Sequence, residues 1–227
     1  LDLTTFAWAL LNTTGTKPTE RRGHSSVVSN GKMVVFGGYD GGSENDAWTL
    51  DLTTFAWTLL TTTGTKPSAR YYHSSVVSNG KMVVFGGYDT FVQKDAWTLD
   101  LTTYAWVLLT TTGTVRRVSH SSVLYNGKMV VFGGAKGPYP YSDEYKDVWT
   151  LDLTTFEWSR LSTTGRRPDV RYDHTSVVYD GKMWVYGGDH TLYTQLDVWR
   201  FNLDDYSWYK KDMNPNYCGS GVKSRSK

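Results

Sequence analysis

The chain has 227 residues, 20% of them charged, and a formal net charge of +2. A terminal group, Lys210, Lys211, Lys223, Arg225 and Lys227 against Asp212, supplies that excess. The remainder has no basic stripe, which excludes nucleic acid as the principal partner. The single cysteine, Cys218, can form no internal disulfide and has no His or Cys neighbour at zinc-ligand spacing. No apolar run reaches the roughly 20 residues needed to span a bilayer, so no membrane insertion is expected. These features suit a soluble chain; an intracellular setting is favoured and an extracellular one stays open.

Two sequence units alternate from end to end. Residues 1–11, Leu-Asp-Leu-Thr-Thr-Phe-Ala-Trp-Ala-Leu-Leu, open the chain with the latter part of the second unit. The first unit begins at His24 and returns at His73, His120 and His174, at steps of 49, 47 and 54 residues. In each copy a β-branched run is broken by Asn30-Gly31, Asn79-Gly80, Asn126-Gly127 or Asp180-Gly181. Such pairs supply the positive φ angles of a type I′ hairpin turn. The second unit begins at Asp46, Asp95, Asp147 and Asp197, and its apolar residues alternate, as in Trp48, Leu50 and Leu52. Each repeat therefore predicts two hairpins, strands a to d of a small antiparallel sheet.

The paired glycines Gly37-Gly38, Gly86-Gly87, Gly133-Gly134 and Gly187-Gly188, the Arg-x-x-His before strand a and the Trp of strand d resemble the kelch repeat. The resemblance covers residues 1–209. It implies an all-β, kelch-type β-propeller with four full four-stranded blades at 24–60, 73–109, 120–161 and 174–209. Residues 1–11 are expected to hold the outer two strands of another blade, and 210–227 a basic tail. It also implies that these blades are part of a larger propeller.

Nine of the ten tryptophans recur at two repeat positions, which points to packing between blades. One histidine per blade likewise points to a shared hydrogen bond. The accompanying arginines, Arg21, Arg70, Arg117 and Arg171, have a second reading. In kelch propellers this end of the blade lies near the channel mouth, where a guanidinium ring would receive an acidic partner.

Enzymatic relatives of the fold set a test. Copper-radical oxidases resembling galactose oxidase need a cysteine cross-linked to a ligand tyrosine, and Cys218 lies in the tail. The iron-dependent specifier proteins use Glu-x-x-x-Asp-x-x-x-His, and no histidine here has Asp four residues before it. The expectation is a chain with no cofactor, no metal and no catalytic residue.

Function is sought where the blades differ. Residues 1–49 and 50–98 are about three-quarters identical, and their differences cluster in the d–a connection and the b–c loop. In an up-and-down sheet both lie at one end, so they share a face. The leading reading is a protein-interaction module that binds a protein partner through this face, as a scaffold or as a subunit of a larger assembly. Besides the four arginines, the candidate contacts are Tyr71, Tyr72, Phe91, Tyr139, Tyr141, Tyr145 and Tyr193. The b–c loop of the third blade, 135–146, carries three of them, stiffened by Pro138 and Pro140. An extracellular structural, adhesive or glycan-binding propeller is the alternative, prompted by the sequon Asn12-Thr13-Thr14.

Overall fold

The computed structural model describes residues 1–113, 115–137 and 143–211. Within them the chain is all β. Blade 1 comprises β1 (Ser25–Ser29), β2 (Lys32–Tyr39), β3 (Ser43–Asp51) and β4 (Trp57–Leu59). Blade 2 comprises β5 (Ser74–Ser78), β6 (Lys81–Phe85), β7 (Ala96–Asp100) and β8 (Trp106–Leu109). Blade 3 comprises β9 (Ser121–Tyr125), β10 (Lys128–Phe132), β11 (Val148–Asp152) and β12 (Trp158–Arg160). A short β13 (Thr164–Gly165) precedes blade 4, which holds β14 (Thr175–Tyr179), β15 (Lys182–Tyr186), β18 (Val198–Asn202) and β19 (Ser207–Lys211). Its b–c loop forms a ribbon of β16 (Asp189–His190) and β17 (Tyr193–Thr194).

Neighbouring strands within each blade run antiparallel in sequence order, as the two-hairpin reading requires. Asn30 and Gly31 at the first a–b turn have φ of 49° and 71°, the left-handed pair that this turn demands. Strands β6 and β10 are buried from Met82 to Phe85 and from Met129 to Phe132, because blades cover both of their faces.

Blades stack through three apolar seams. Phe36 of blade 1 meets Trp106 of blade 2 with ring centroids 4.8 Å apart; Phe85 meets Trp158 at 4.4 Å and Phe132 meets Trp208 at 4.8 Å. The strand d tryptophans thus join each blade to the one before it. At the outer rim the backbone adds a staple, with Thr63 paired to Ala105, Thr112 to Glu157 and β13 running parallel to β19.

Residues 1–11 depart from expectation. Their c–d turn forms, with Asp2 Oδ1 accepting from the Thr4 and Thr5 amides at 2.7 and 2.9 Å, but no strand does. A c strand needs a b strand beside it, and no described residue takes that place; Trp8 is 81% exposed.

Candidate functional site

The arginines define the inner architecture. Arg70 is fully buried and donates to both Asp95 oxygens, at 2.7 and 3.0 Å, and to the Gly86 carbonyl at 3.0 Å. Arg117 pairs with Asp147 at 2.7 Å and Arg171 with Asp197 at 2.9 Å, and Arg21 meets Asp46 in the same way. The Trp97 indole N–H donates to Asp95 at 2.6 Å. Burial pushes the Asp95 carboxyl up, but the guanidinium and indole donors outweigh it and hold it below its usual range. The carbonyls of Arg70, Arg117 and Arg171 in turn accept from the second glycine of the preceding blade, as Arg70 does from the Gly38 amide at 2.9 Å. A Cβ on Gly37 would stand 2.7 Å from that carbonyl, which explains the glycine there. These arginines are therefore clamps inside and between blades. They do not form an exposed cationic ring, because Arg70, Arg117 and Arg171 are buried and each of the four guanidinium groups is tied to a partly buried carboxylate and a glycine carbonyl.

His73, His120 and His174 are equally internal, whereas His24 of blade 1 is exposed. His120 Nε2 lies 2.8 Å from Ser74 Oγ of the preceding blade, and His174 Nε2 lies 2.8 Å from Ser121 Oγ.

Between the invariant Arg and His, two residues vary and turn toward the mouth. The first pairs with the residue after the double glycine: Arg22 with Tyr39, Tyr71 with Tyr88, Val118 with Ala135 and Tyr172 with Asp189. The second is Gly23, Tyr72, Ser119 or Asp173, each with φ between 53° and 65°. These residues link blade to blade: the amides of Tyr72, Ser119 and Asp173 donate to the carbonyls of Gly23, Tyr72 and Ser119 at 2.7, 2.9 and 3.0 Å.

Together they enclose a cavity of about 200 Å³ bounded by Arg22, Tyr71, Tyr72, Tyr88, Tyr172 and Asp173. Tyr71 stacks obliquely on Tyr72 at 5.0 Å and edge-on to Tyr88 at 5.6 Å. Burial, followed by the neighbouring phenols, raises the Tyr71 pKa, so the hydroxyl stays protonated. Arg22 lies over the Tyr39 ring at 4.9 Å. Loss of water raises the Asp173 pKa, against a hydrogen bond from Ser119.

The b–c loops surround this cavity. Phe91 is 69% exposed. Tyr145 lies over the Arg117 guanidinium at 4.4 Å and is partly buried there. Tyr193 stacks on His190 at 4.7 Å, and Glu144 ties the two loops by accepting from the Thr191 amide at 2.7 Å. Tyr139 and Tyr141 lie outside the described residues.

The KLHDC2/KLHL20/DRC7 Kelch-repeats domain profile matches residues 1–134 and 93–224. The chain belongs to the kelch-repeat family. Among curated relatives, acyl-CoA-binding domain-containing protein 6 of Oryza sativa subsp. japonica is 36% identical over 70 residues, 31% of this chain and 10% of that protein. Kelch domain-containing protein 2 of Bos taurus is 36% identical over 61 residues, 27% of this chain and 15% of that protein. Host cell factor 1 of Homo sapiens is 32% identical over 76 residues, 27% of this chain and 4% of that protein. The matched kelch segment thus spans only about a tenth of the first of these relatives. Among the described residues no three His, Cys, Asp or Glu side chains gather as metal ligands, and no helix is long and apolar enough to cross a membrane.

The structure brings Tyr71 and Tyr72 together in the cavity and leaves Phe91 and Tyr193 on the loops around it. Sequence reasoning missed Arg22, Tyr39, Tyr88 and Tyr172. Their signal was present: they occupy the only varying positions between the repeated Arg and His, or directly after Gly-Gly.

Proposed function

We propose that this kelch domain is a protein-interaction module that receives its partner on the b–c and d–a loop face, with the tyrosine-lined cavity as anchor. One observation carries the reading: the side chains that differ from blade to blade converge around that cavity, while the clamps beneath it are the same in every blade. A rigid, repeated scaffold displaying varied aromatic residues is the arrangement that protein recognition needs. Tyrosine provides a large amphipathic contact at low rotamer cost.

The test is quantitative affinity capture from native extract, with binding of the recovered partner measured on purified protein. Replacing Tyr71 and Tyr88 together by Ala is expected to weaken binding tenfold or more, about 1.4 kcal/mol. Ser29→Ala and Thr53→Ala, in turns at the other end, are expected to leave it unchanged. The reverse pattern, turn variants losing the partner and tyrosine variants keeping it, refutes the assignment.

A further inference from the structure

At the end of the molecule remote from the tyrosine cavity, the wedge between consecutive blades opens beside the a–b turns. Two wedges that should be equivalent are filled differently. Between blades 3 and 4, Tyr125 closes β9 and its phenol donates across the seam to Asp204 at 2.8 Å. A groove of about 220 Å³ remains there, bounded by Val130, Thr150, Leu203 and Tyr206. Between blades 2 and 3 the repeat register puts Ser78 at the place of Tyr125, Thr154 at that of Asp204 and Phe156 at that of Tyr206. Without the phenol the groove is about 410 Å³.

Its surface has also become more apolar. Cross-strand pairing puts Val83, Thr98 and Val107 side by side as the floor. Val107 is 55% exposed and stands where blade 3 has Ser159 and blade 1 has Thr58. Leu153 and Phe156 of blade 3 form the facing wall. An apolar cavity of about 150 Å³ already holds a benzene ring, so this groove has room for a phenol and the chain that carries it. Its charge is one-sided, since Lys81 lines it and no carboxylate does. The equivalent Lys128 of blade 3 pairs with Asp152 at 3.3 Å; Lys81 stands opposite Asp100 and its charge lowers that carboxyl's pKa, but the two form no close ion pair.

We propose that the groove between blades 2 and 3 is a second recognition site, which takes a tyrosine side chain of a protein partner flanked by a carboxylate that pairs with Lys81. The ring occupies the volume that Tyr125 fills in the next wedge, and its hydroxyl faces Thr154 in place of Asp204. The molecule thus contains the template for its own ligand. The site lies at the other end of the blades from the loop face, so neither reading depends on the other.

The experiment uses the full chain with labelled Leu and Val methyl groups, titrated with three blocked peptides: acetyl-Glu-Tyr-Glu-amide, acetyl-Lys-Tyr-Lys-amide and acetyl-Glu-Ala-Glu-amide. Saturable shifts at the Val107 and Leu153 methyls are expected with the first, at least tenfold weaker binding with the second, and none with the third. Ser78→Tyr refills the groove from within and is expected to weaken the first peptide tenfold or more. Val107→Ser, which copies blade 3, is expected to weaken it with the unfolding midpoint retained. The proposal is overturned if those methyls show no saturable shift up to about 10 mM peptide, a limit well beyond weak but specific binding. It is also overturned if the shifts fall at Val92 and Val118 instead, or if the Ser78→Tyr and Val107→Ser proteins bind as the parent does.

Discussion

Acidification should destabilise this domain well before its carboxylates are protonated. Burial, reinforced by the adjacent arginines, holds His73 and His174 down at about 3 and His120 well below its usual value. All three are less than a tenth exposed. In the unfolded chain each takes up a proton near pH 6.5, while in the folded blades it stays neutral. The unfolded state therefore binds more protons, and stability is complete above about pH 6.5 and is lost as pH falls toward 3. At about pH 5.5 each histidine costs roughly 1 kcal/mol relative to neutral pH, so the three together remove about 3–4 kcal/mol. That is a large part of a typical domain stability of about 5–15 kcal/mol. Asp95, Asp147 and Asp197 have depressed pKa values, and their stabilisation is lost as pH falls from the ordinary carboxylate value downward, so it is still intact at about pH 5.5. Urea unfolding followed by tryptophan fluorescence at about pH 7.5 and pH 5.5, with unchanged slope, measures the difference. A difference under about 1 kcal/mol, or protonation of folded-state imidazoles seen by NMR between those pH values, refutes the reasoning.

Three further outcomes are expected in the same unfolding assay. Asp147→Asn should destabilise by about 3–5 kcal/mol, since it leaves the buried Arg117 guanidinium without its carboxylate. Trp158→Ala should cost about 3–5 kcal/mol by opening the seam against Phe85, whereas Trp8→Ala, at an exposed site, should stay within about 0.5 kcal/mol. Gly87→Ala should cost upward of about 1 kcal/mol, because φ there is +93° and the new Cβ would lie 2.8 Å from the His73 Cβ.

Much of the fold was legible because the chain states it four times. Asn-Gly pairs marked the hairpins, and the alternation of Trp48, Leu50 and Leu52 marked strand c. The absence of a strand at residues 1–11 has a physical origin, since periodicity reports what a segment can become, and a strand forms only beside a hydrogen-bonding neighbour. The arginine ring was misplaced for a related reason. Arg21 and Asp46 are 25 residues apart, and nothing in the repeat's spacing says that the carboxylate at the start of strand c folds back beneath the arginine. Tyr71 and Tyr72 stood out as departures from a repeated string, whereas Tyr88 and Tyr172 emerge only once the b–c and d–a segments are seen to pair at the mouth.

The backbone chain from Gly23 through Tyr72 and Ser119 to Asp173 has a consequence for how such a domain acquires new partners. Geometry at this position comes from main-chain amides and carbonyls, so the side chain can be a phenol, a hydroxyl or a carboxylate at Tyr72, Ser119 and Asp173, whereas a Cβ on Gly23 would stand 3.0 Å from Tyr72. The left-handed conformation, at φ near 56° for Tyr72, taxes every non-glycine occupant by a similar small amount. Selection at the mouth can therefore act on chemistry alone at these three places, one blade at a time, and an engineer could rewrite the cavity by exchanging three residues while the framework keeps its shape.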